Sequence, residues 1–303
     1  MGVMRLGYVH VRVTDLDAAT RHYRDTLGMK LTADTGSARA FKGWDEFDHH
    51  SVVIEDGGVG LAKMGLKCRS TDDLDTYERR LGAFGITPAR MSKGETLAVG
   101  EGLRFQLPTE QTVELYTDME FLGTETGTLN PFPAPRDPRG VMVPRLDHIL
   151  IAGEDPALVE QLFTEVFDFN VSERLITDPG QNELVASWMF TGNSSHDVAV
   201  LKGDNGKLHH FAFYVDEWKD VLRAGDVFAA DDVSVDYGPT RHGITRGTTM
   251  YFFDPSGNRN EVFAGSYKVY ADTPTITWTM DEFARGLSSL QREVNESFLS
   301  VFT

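Results

Sequence analysis

The amino-acid sequence predicts an α+β protein built from two similar halves, and three observations support this prediction. Segments in which apolar and polar residues alternate, as is typical of strands, dominate both halves. The halves match each other at a nearly constant spacing, which indicates a duplicated unit. A proline-rich stretch separates them. Strand-rich units that each carry a covering helix favour an α+β fold over a doubly wound parallel sheet.

The duplication is visible in four segments that occur in the same order in each half. The matching segments, first at an offset of 140 residues and then at 147, are 5–13 with 145–153, 22–28 with 162–168, 105–108 with 252–255, and 113–116 with 260–263. Each half is therefore predicted to contain a strand, a helix and several further strands. Gly28 stands where the residue after a helix C-cap is expected.

The prolines divide the chain into domains. Five of the 12 prolines lie between residues 130 and 144, and proline at this density disrupts helices and sheet ladders. We therefore expect an N-terminal domain over residues 1–130, a stiff linker over 131–144, a C-terminal domain over 145–268 and an extension over 269–303.

The extension is predicted to form a helix. Thr279 and Glu282 have the spacing of a capping box, and four apolar residues then follow on one helical face: Phe283, Leu287, Leu290 and Val294. This face is expected to dock on the domain surface, with a subunit interface as the alternative.

Charge and composition exclude several classes of partner. The 29 Lys and Arg residues against 46 Asp and Glu give a net charge of −17, so neither nucleic acid nor an anionic membrane is expected to bind. No run of 18 apolar residues is present, and the start of the chain lacks a signal-peptide core. The single cysteine, Cys68, fits a reducing compartment, so a cytoplasmic location is expected.

Three polar residues on predicted strands could bind one metal ion. His148 and His210 lie on alternating strands, and Glu261 lies in a third, where a lone buried carboxylate would be costly. Two imidazoles and one carboxylate can bind a divalent metal on one side and leave the opposite positions open, as in non-haem Fe(II) oxygenases. The alternative is that the three residues have separate structural roles, because the spacing alone would be the same. The zinc-hydrolase pattern His-Glu-x-x-His does not occur in the sequence.

A longer motif over residues 240–261 narrows these possibilities. It contains a loop histidine, a strand tyrosine, a Pro-Ser-Gly-Asn turn and a strand carboxylate, at His242, Tyr251, residues 255–258 and Glu261. This motif resembles the signature of the extradiol ring-cleaving dioxygenases. That signature has a His, seven residues, an apolar residue and Tyr, then two residues, Asp-Pro-x-Gly, three residues and Glu. All of its specified positions are filled here.

Segments 7–13, 196–199 and 208–211 extend the resemblance over nearly the whole chain, and it is to the catechol 2,3-dioxygenase (metapyrocatechase) family of the vicinal oxygen chelate superfamily. The resemblance implies two domains, each of paired βαβββ modules, plus a C-terminal helix, with metal bound only in the second domain. The cofactor it implies is Fe(II), with three metal ligands: His148, His210 and Glu261. The catalytic residues it implies are His196, His242 and Tyr251, of which His242 and Tyr251 also bind the substrate.

The implied reaction is meta cleavage of catechol or a substituted catechol by O2 to a 2-hydroxymuconic semialdehyde, as part of aromatic degradation. His196 is expected to act as acid and base on the oxygen side of the site. The resemblance also implies a homotetramer. Similar modules occur in glyoxalase-type metal-dependent isomerases and lyases and in non-enzymatic ligand-binding proteins, and these are the alternative interpretations.

The repeat predicts that the first half holds no metal. Tyr8 occupies the position of His148, and no histidine precedes the strand that corresponds to the His210 strand. Glu114 matches Glu261, but one carboxylate alone does not bind a metal tightly. The N-terminal domain is therefore expected to be structural.

Three further histidines are expected to lie outside the site. Alternate strand residues share a face, so His209 is predicted to point away from the side that His210 faces. His49 and His50 are expected at the surface or in an interface.

Overall fold

The computed structural model describes residues 2–303, which form two mixed β-sheets and a small number of helices. This arrangement confirms the α+β prediction. Among residues 2–303, no helix is both long and apolar enough to cross a membrane.

The first sheet contains eight strands in the order β2-β3-β4-β1-β5-β8-β7-β6. Its strands are β1 (Val3–Val13), β2 (Lys30–Asp34), β3 (Ala38–Lys42), β4 (Val52–Asp56), β5 (Gly60–Cys68), β6 (Ala89–Met91), β7 (Gly102–Gln106) and β8 (Thr112–Tyr116). Helix α1 (Leu16–Arg21) continues into a π-helical turn (His22–Thr26), and α2 (Thr71–Phe84) follows β5.

The second sheet contains nine strands in the order β14-β15-β16-β13-β9-β12-β11-β10-β17. Its strands are β9 (Arg145–Gly153), β10 (Asn170–Ile176), β11 (Leu184–Phe190), β12 (Val198–Lys202), β13 (Lys207–Tyr214), β14 (Val235–Arg241), β15 (Gly247–Phe253), β16 (Arg259–Gly265) and β17 (Ile276–Thr279). The helices are α3 (Pro156–Glu165), α4 (Trp218–Ala230), α5 (Phe283–Leu287) and α6 (Glu296–Ser300).

The predicted duplication is present in the strand pairing. In the first sheet, β1 runs parallel to β4 and antiparallel to β5, and β5 runs parallel to β8. In the second sheet, β9 has the same relation to β12 and β13, and β13 runs parallel to β16. The first helix of each copy is capped by an aspartate at the offset of 140, because Asp15 accepts from the Ala18 amide and Asp155 from the Leu158 amide.

The two halves pack on each other through one continuous apolar core and through polar contacts to the turn after β15. The Tyr23 hydroxyl donates to Asp254 Oδ2 at 3.0 Å. The Asn258 side chain accepts from the Gly60 amide at 2.8 Å and donates to the Arg12 carbonyl at 2.9 Å. Because this turn leads directly into β16, the first half supports the strand that carries Glu261.

The predicted C-terminal helix is present, but it is not one continuous helix from Phe283 to Val294. The Thr279 hydroxyl bonds Asp281 and makes no capping hydrogen bond to a backbone amide, and α5 ends after five residues at Leu287. Beyond α5, the Ser289 amide donates to the Arg241 carbonyl at 2.8 Å, so contact with β14 replaces the next helical hydrogen bonds. Leu290, predicted on the buried face, is 62% exposed. A helix does occur near the C terminus, but it is the short α6.

Candidate metal centre

Three adjacent strands bring His148, His210 and Glu261 together. They lie on β9, β13 and β16, and β13 is the middle strand of the three. Glu261 Oε2 lies 3.0 Å from His148 Nε2 and 3.1 Å from His210 Nε2, and the two nitrogens are 3.4 Å apart. All three side chains are buried. Residues separated by up to 113 positions in the sequence thus present one nitrogen or oxygen each to a single point.

This set of atoms fits a divalent metal ion. Metal–ligand bonds of about 2.1 Å at right angles place neighbouring ligand atoms about 3 Å apart, which agrees with the observed spacing. Asp147 Oδ2 lies 2.7 Å from His148 Nδ1, and a carboxylate only accepts, so in the neutral, metal-binding form of the ring Nδ1 keeps its proton and Nε2 carries the lone pair. Imidazole and carboxylate donors suit iron and manganese as well as zinc.

The electrostatics of the site favour positive charge. Burial acts to raise the pKa of Glu261, but His148, His210 and His242 together outweigh it and hold this pKa well below its ordinary value. Burial acts to lower the pKa of His148, but Glu261 and Asp147 raise it to about 9. An ionised carboxylate at the floor of a buried site attracts a cation strongly.

His242 and Tyr251 lie on one side of this group. The Tyr251 hydroxyl donates to His242 Nε2 at 2.9 Å, because His242 Nδ1 donates to the Leu287 carbonyl and leaves Nε2 as the acceptor. Tyr251 pairs directly with Glu261 across β15 and β16. Burial and the Glu261 charge raise the pKa of Tyr251 well above its ordinary value, so the phenol stays protonated.

His196 packs against His148. Their ring centroids are 3.9 Å apart, and His196 Nδ1 lies 3.1 Å from Ser195 Oγ. Burial and the neighbouring His148 lower the pKa of His196 well below its ordinary value. This imidazole is therefore neutral at pH 7.

All six residues predicted for the site line one cavity, whose remaining walls are mainly apolar. Those walls are formed by Leu150, Trp188, Leu201, Ile244, Phe263, Phe283, Leu287 and Phe298. Within residues 2–303, neither lysine nor arginine lines the cavity. An apolar chamber above a few convergent polar groups is typical of a small-molecule site.

Two predictions about the other histidines are wrong. His209 lines the same cavity as His210, because an irregularity in the β13–β9 pairing between Leu208 and His210 breaks the alternation of side chains. His49 and His50 are both buried, and their Nδ1 atoms lie 2.9 Å apart.

Sequence reasoning missed several residues that support the site. Asp147 orients His148, and its position directly before a predicted ligand was the available signal. The Thr249 hydroxyl donates to Glu261 Oε1, and its spacing of two from Tyr251 places both on one strand face. The Leu287 carbonyl had no such signal, because every residue carries a carbonyl.

Comparisons with known proteins agree with this geometry. Residues 145–262 match the family model described as "Glyoxalase/Bleomycin resistance protein/Dioxygenase superfamily", and residues 62–120 match the "Catechol 2,3-dioxygenase-like N-terminal domain". The chain is 39% identical to a metapyrocatechase of Pseudomonas sp. (strain CF600), over 100% of this chain and 99% of that protein. It is 27% identical to a manganese-dependent 2,3-dihydroxybiphenyl 1,2-dioxygenase of Geobacillus genomosp. 3, over 94% of this chain and 93% of that protein.

Two solved structures are also similar. The 2,3-dioxygenase LapB from Pseudomonas sp. KL28 has a TM-score of 0.90 at 38% identity, over 93% of this chain and 99% of that chain. The homoprotocatechuate 2,3-dioxygenase of Brevibacterium fuscum, in complex with 3,4-dihydroxyphenylacetate, has a TM-score of 0.88 at 25% identity, over 99% of this chain and 92% of that chain.

Proposed function

Since the chain belongs to the catechol 2,3-dioxygenase family of extradiol ring-cleaving enzymes, within the vicinal oxygen chelate superfamily, we propose that it cleaves catechol or a substituted catechol with O2. The ring opens beside the two hydroxyls and gives a 2-hydroxymuconic semialdehyde. The observation that carries this proposal is the convergence of His148, His210 and Glu261 at the floor of an apolar cavity.

The cofactor we propose is Fe(II), held by His148, His210 and Glu261. When bound, it supplies the electron transfer that a reaction between triplet dioxygen and a singlet aromatic ring requires. Manganese is the competing metal, because one relative is named as manganese-dependent and the donor set suits both ions. Metal analysis of the protein as isolated, with activity after anaerobic loading of each ion, separates the two.

The residues around the metal site would handle the protons. Tyr251 and His242 form a hydrogen-bonded pair at the cavity wall, so a catechol hydroxyl that contacts this pair can lose its proton to it. His196 is neutral, and once protonated it readily gives up its proton because burial disfavours its charge. It would therefore return a proton where the O–O bond breaks.

The cavity walls favour uncharged substrates. The lining residues in the described part of the chain offer apolar contact but no lysine or arginine to pair with a carboxylate, which would be costly to bury alone. Catechol itself, or a catechol with an apolar substituent, suits these walls. A carboxylate-bearing catechol such as 3,4-dihydroxyphenylacetate is expected to be a poorer substrate.

The proposal is tested by mixing anaerobically Fe(II)-loaded protein with catechol and then admitting air. A yellow ring-fission product should form with one O2 consumed per catechol. The Glu261→Gln variant is the control and should give neither signal. Absence of oxygen uptake with catechol and with apolar-substituted catechols would reject the dioxygenase function.

Three further expectations belong to this proposal. They are a cytoplasmic location, a homotetramer, and a division of the chain into an N-terminal domain over residues 1–130, a linker over 131–144, a catalytic domain over 145–268 and an extension over 269–303. Sedimentation of the purified protein measures the assembly, and limited proteolysis within 131–144 tests the domain limits.

A further inference from the structure

We propose that His209 is a positioning residue that fixes the ring orientation and the tautomer of His210. The C-terminal segment in turn orients His209, through the main-chain carbonyl of Phe298. This inference rests on the proposed function, because it assumes that His210 binds the metal.

A bulge in β13 brings the two histidine rings together. Leu208 pairs with Ile151 of β9, and His210 pairs with the adjacent residue, Leu150. His209 is therefore an extra residue in β13 that has no pairing partner in β9. Such a bulge turns consecutive side chains toward the same side of the strand. The result is a distance of 2.6 Å between His209 Nδ1 and His210 Nδ1, with both rings buried.

The Phe298 carbonyl can only accept a hydrogen bond, and this determines which ring nitrogens of His209 and His210 carry protons. The Phe298 carbonyl lies 2.9 Å from His209 Nε2, so Nε2 carries a proton and donates it. In a neutral imidazole the other nitrogen is then an acceptor, so His209 Nδ1 accepts from His210 Nδ1. His210 Nε2 is left with a lone pair, and this atom faces Glu261 Oε2 at 3.1 Å. Metal binding requires this tautomer.

The segment that supplies the carbonyl is itself held firmly. The Arg259 guanidinium donates to the carbonyls of Ser297 and Val301, both at 2.9 Å. Arg259 is fully buried, and Asp236 pairs with its Nε at 2.8 Å. The His209 ring also packs edge-on against Phe298, with centroids 4.7 Å apart. The segment after α5 therefore contacts a metal ligand through His209, and this ligand precedes Phe298 by almost 90 positions in the sequence.

The two histidine ligands thus have different outer partners. His148 donates to the carboxylate of Asp147, whereas His210 donates to a neutral imidazole. A carboxylate partner fixes a ligand by charge. A neutral partner fixes it only through hydrogen-bond direction, so His209 must itself be oriented, and the Phe298 carbonyl provides that orientation.

The test compares His209→Phe with His209→Gln. Phenylalanine keeps a ring against Phe298 but loses both hydrogen bonds. The glutamine amide has an acceptor and a donor at nearly the spacing of the two ring nitrogens, so it can restore both. His50→Phe is the matched control, because His50 also lies in a buried adjacent pair but in the first half.

Two measurements apply to each variant. Fe(II) affinity is measured anaerobically by competition with a chelator, and the absorption bands of bound Co(II) report the ligand field. His209→Phe should lower Fe(II) affinity by about 10–100-fold and shift the Co(II) bands. His209→Gln should recover most of the affinity and the wild-type bands, and His50→Phe should match the wild type in both.

A measurement on the wild-type protein is independent of whether variants fold. In Zn(II)-loaded protein with 15N-labelled histidine, NMR should find His209 protonated on Nε2 and His210 on Nδ1. A proton on His209 Nδ1, wild-type metal binding by His209→Phe, or equal loss in His209→Phe and His209→Gln would each overturn the role of His209. Failure of the wild-type protein to bind Fe(II) would instead overturn the proposed function.

Discussion

The two sheets bury a glutamate at the same place and neutralise it in different ways. Their strand registers match four positions of the first sheet with four of the second: Tyr8 with His148, Lys63 with His210, Arg104 with Tyr251, and Glu114 with Glu261. In the first sheet, Lys63 Nζ and Arg104 Nε lie 2.9 and 2.8 Å from Glu114 Oε1. The Tyr8 hydroxyl also donates to Glu114.

The second sheet has neutral or weakly basic side chains at the positions where the first sheet has the cationic side chains of Lys63 and Arg104. Glu261 is surrounded by imidazoles, a phenol and the Thr249 hydroxyl, and by no lysine or arginine side chain at the matched positions. A fully buried carboxylate is costly without a compensating positive charge. Exchange of three side chains (Tyr8 for His148, Lys63 for His210 and Arg104 for Tyr251) thus converts a closed ion-pair cluster into a site that favours an exogenous cation.

The largest expected effect separates the two glutamates. Glu261→Gln removes the only anionic ligand, so Fe(II) binding and ring cleavage should both fall to background. Glu114→Gln should leave both unchanged, because its neighbours already supply the positive charge. Metal content and oxygen uptake measure the two outcomes. Equal metal loss in both variants would show that the first sheet contributes to the metal site.

The next effect separates binding of metal from movement of protons. His196→Ala should retain Fe(II) but lower kcat by about 10²–10⁴-fold, the usual cost of losing an acid–base group. His210→Ala should instead lose the metal. Metal analysis beside steady-state kinetics distinguishes them, and metal loss in His196→Ala would assign His196 a ligand role.

Stability should respond most at Glu114. Glu114→Gln leaves Lys63 and Arg104 without their buried anion and should lower the free energy of unfolding by about 3–5 kcal/mol. Urea denaturation with wild-type protein as reference measures this change. An unaltered unfolding midpoint would mean that the cluster contributes specificity rather than stability.

The loss of stability in Glu114→Gln should also depend on pH. Burial acts to raise the pKa of Glu114, but Lys63 and its other partners outweigh it and hold the pKa below the ordinary value of 4.5. Its charge therefore stabilises the fold above about pH 4.5, and this stabilisation is lost as the pH falls through the lowered pKa. The stability difference between wild type and Glu114→Gln should shrink below pH 4.5. A constant difference down to pH 3 would contradict the ionised state of Glu114.

The smallest effect concerns the support that one half gives the other. Tyr23→Phe removes the hydrogen bond to Asp254, which still accepts from the Asn258 side chain. The free energy of unfolding should fall by about 1 kcal/mol, with metal affinity unchanged. His209→Phe should show the opposite pattern and change metal affinity far more than the free energy of unfolding.

Much of this protein was predictable from local sequence. The alternation of residues and the offset of 140 predicted an α+β fold and its duplication, since strand and helix periods depend on near neighbours. The motif ending at Glu261 identified the residues that the second sheet gathers, because their chemical types and spacing stand in the sequence itself. Tyr8 in place of His148 already distinguished the two halves.

Tertiary structure alone decided the groups that orient and balance those residues. The bulge at His209 depends on pairing with another strand, so the parity rule failed there. Lys63 and Arg104 meet Glu114 only because three strands stand side by side in one register. The carbonyls of Leu287 and Phe298 set two histidine tautomers, and a carbonyl has no residue identity by which a sequence could reveal it. Side-chain chemistry is thus encoded locally, whereas orientation and charge balance arise from contacts between distant segments.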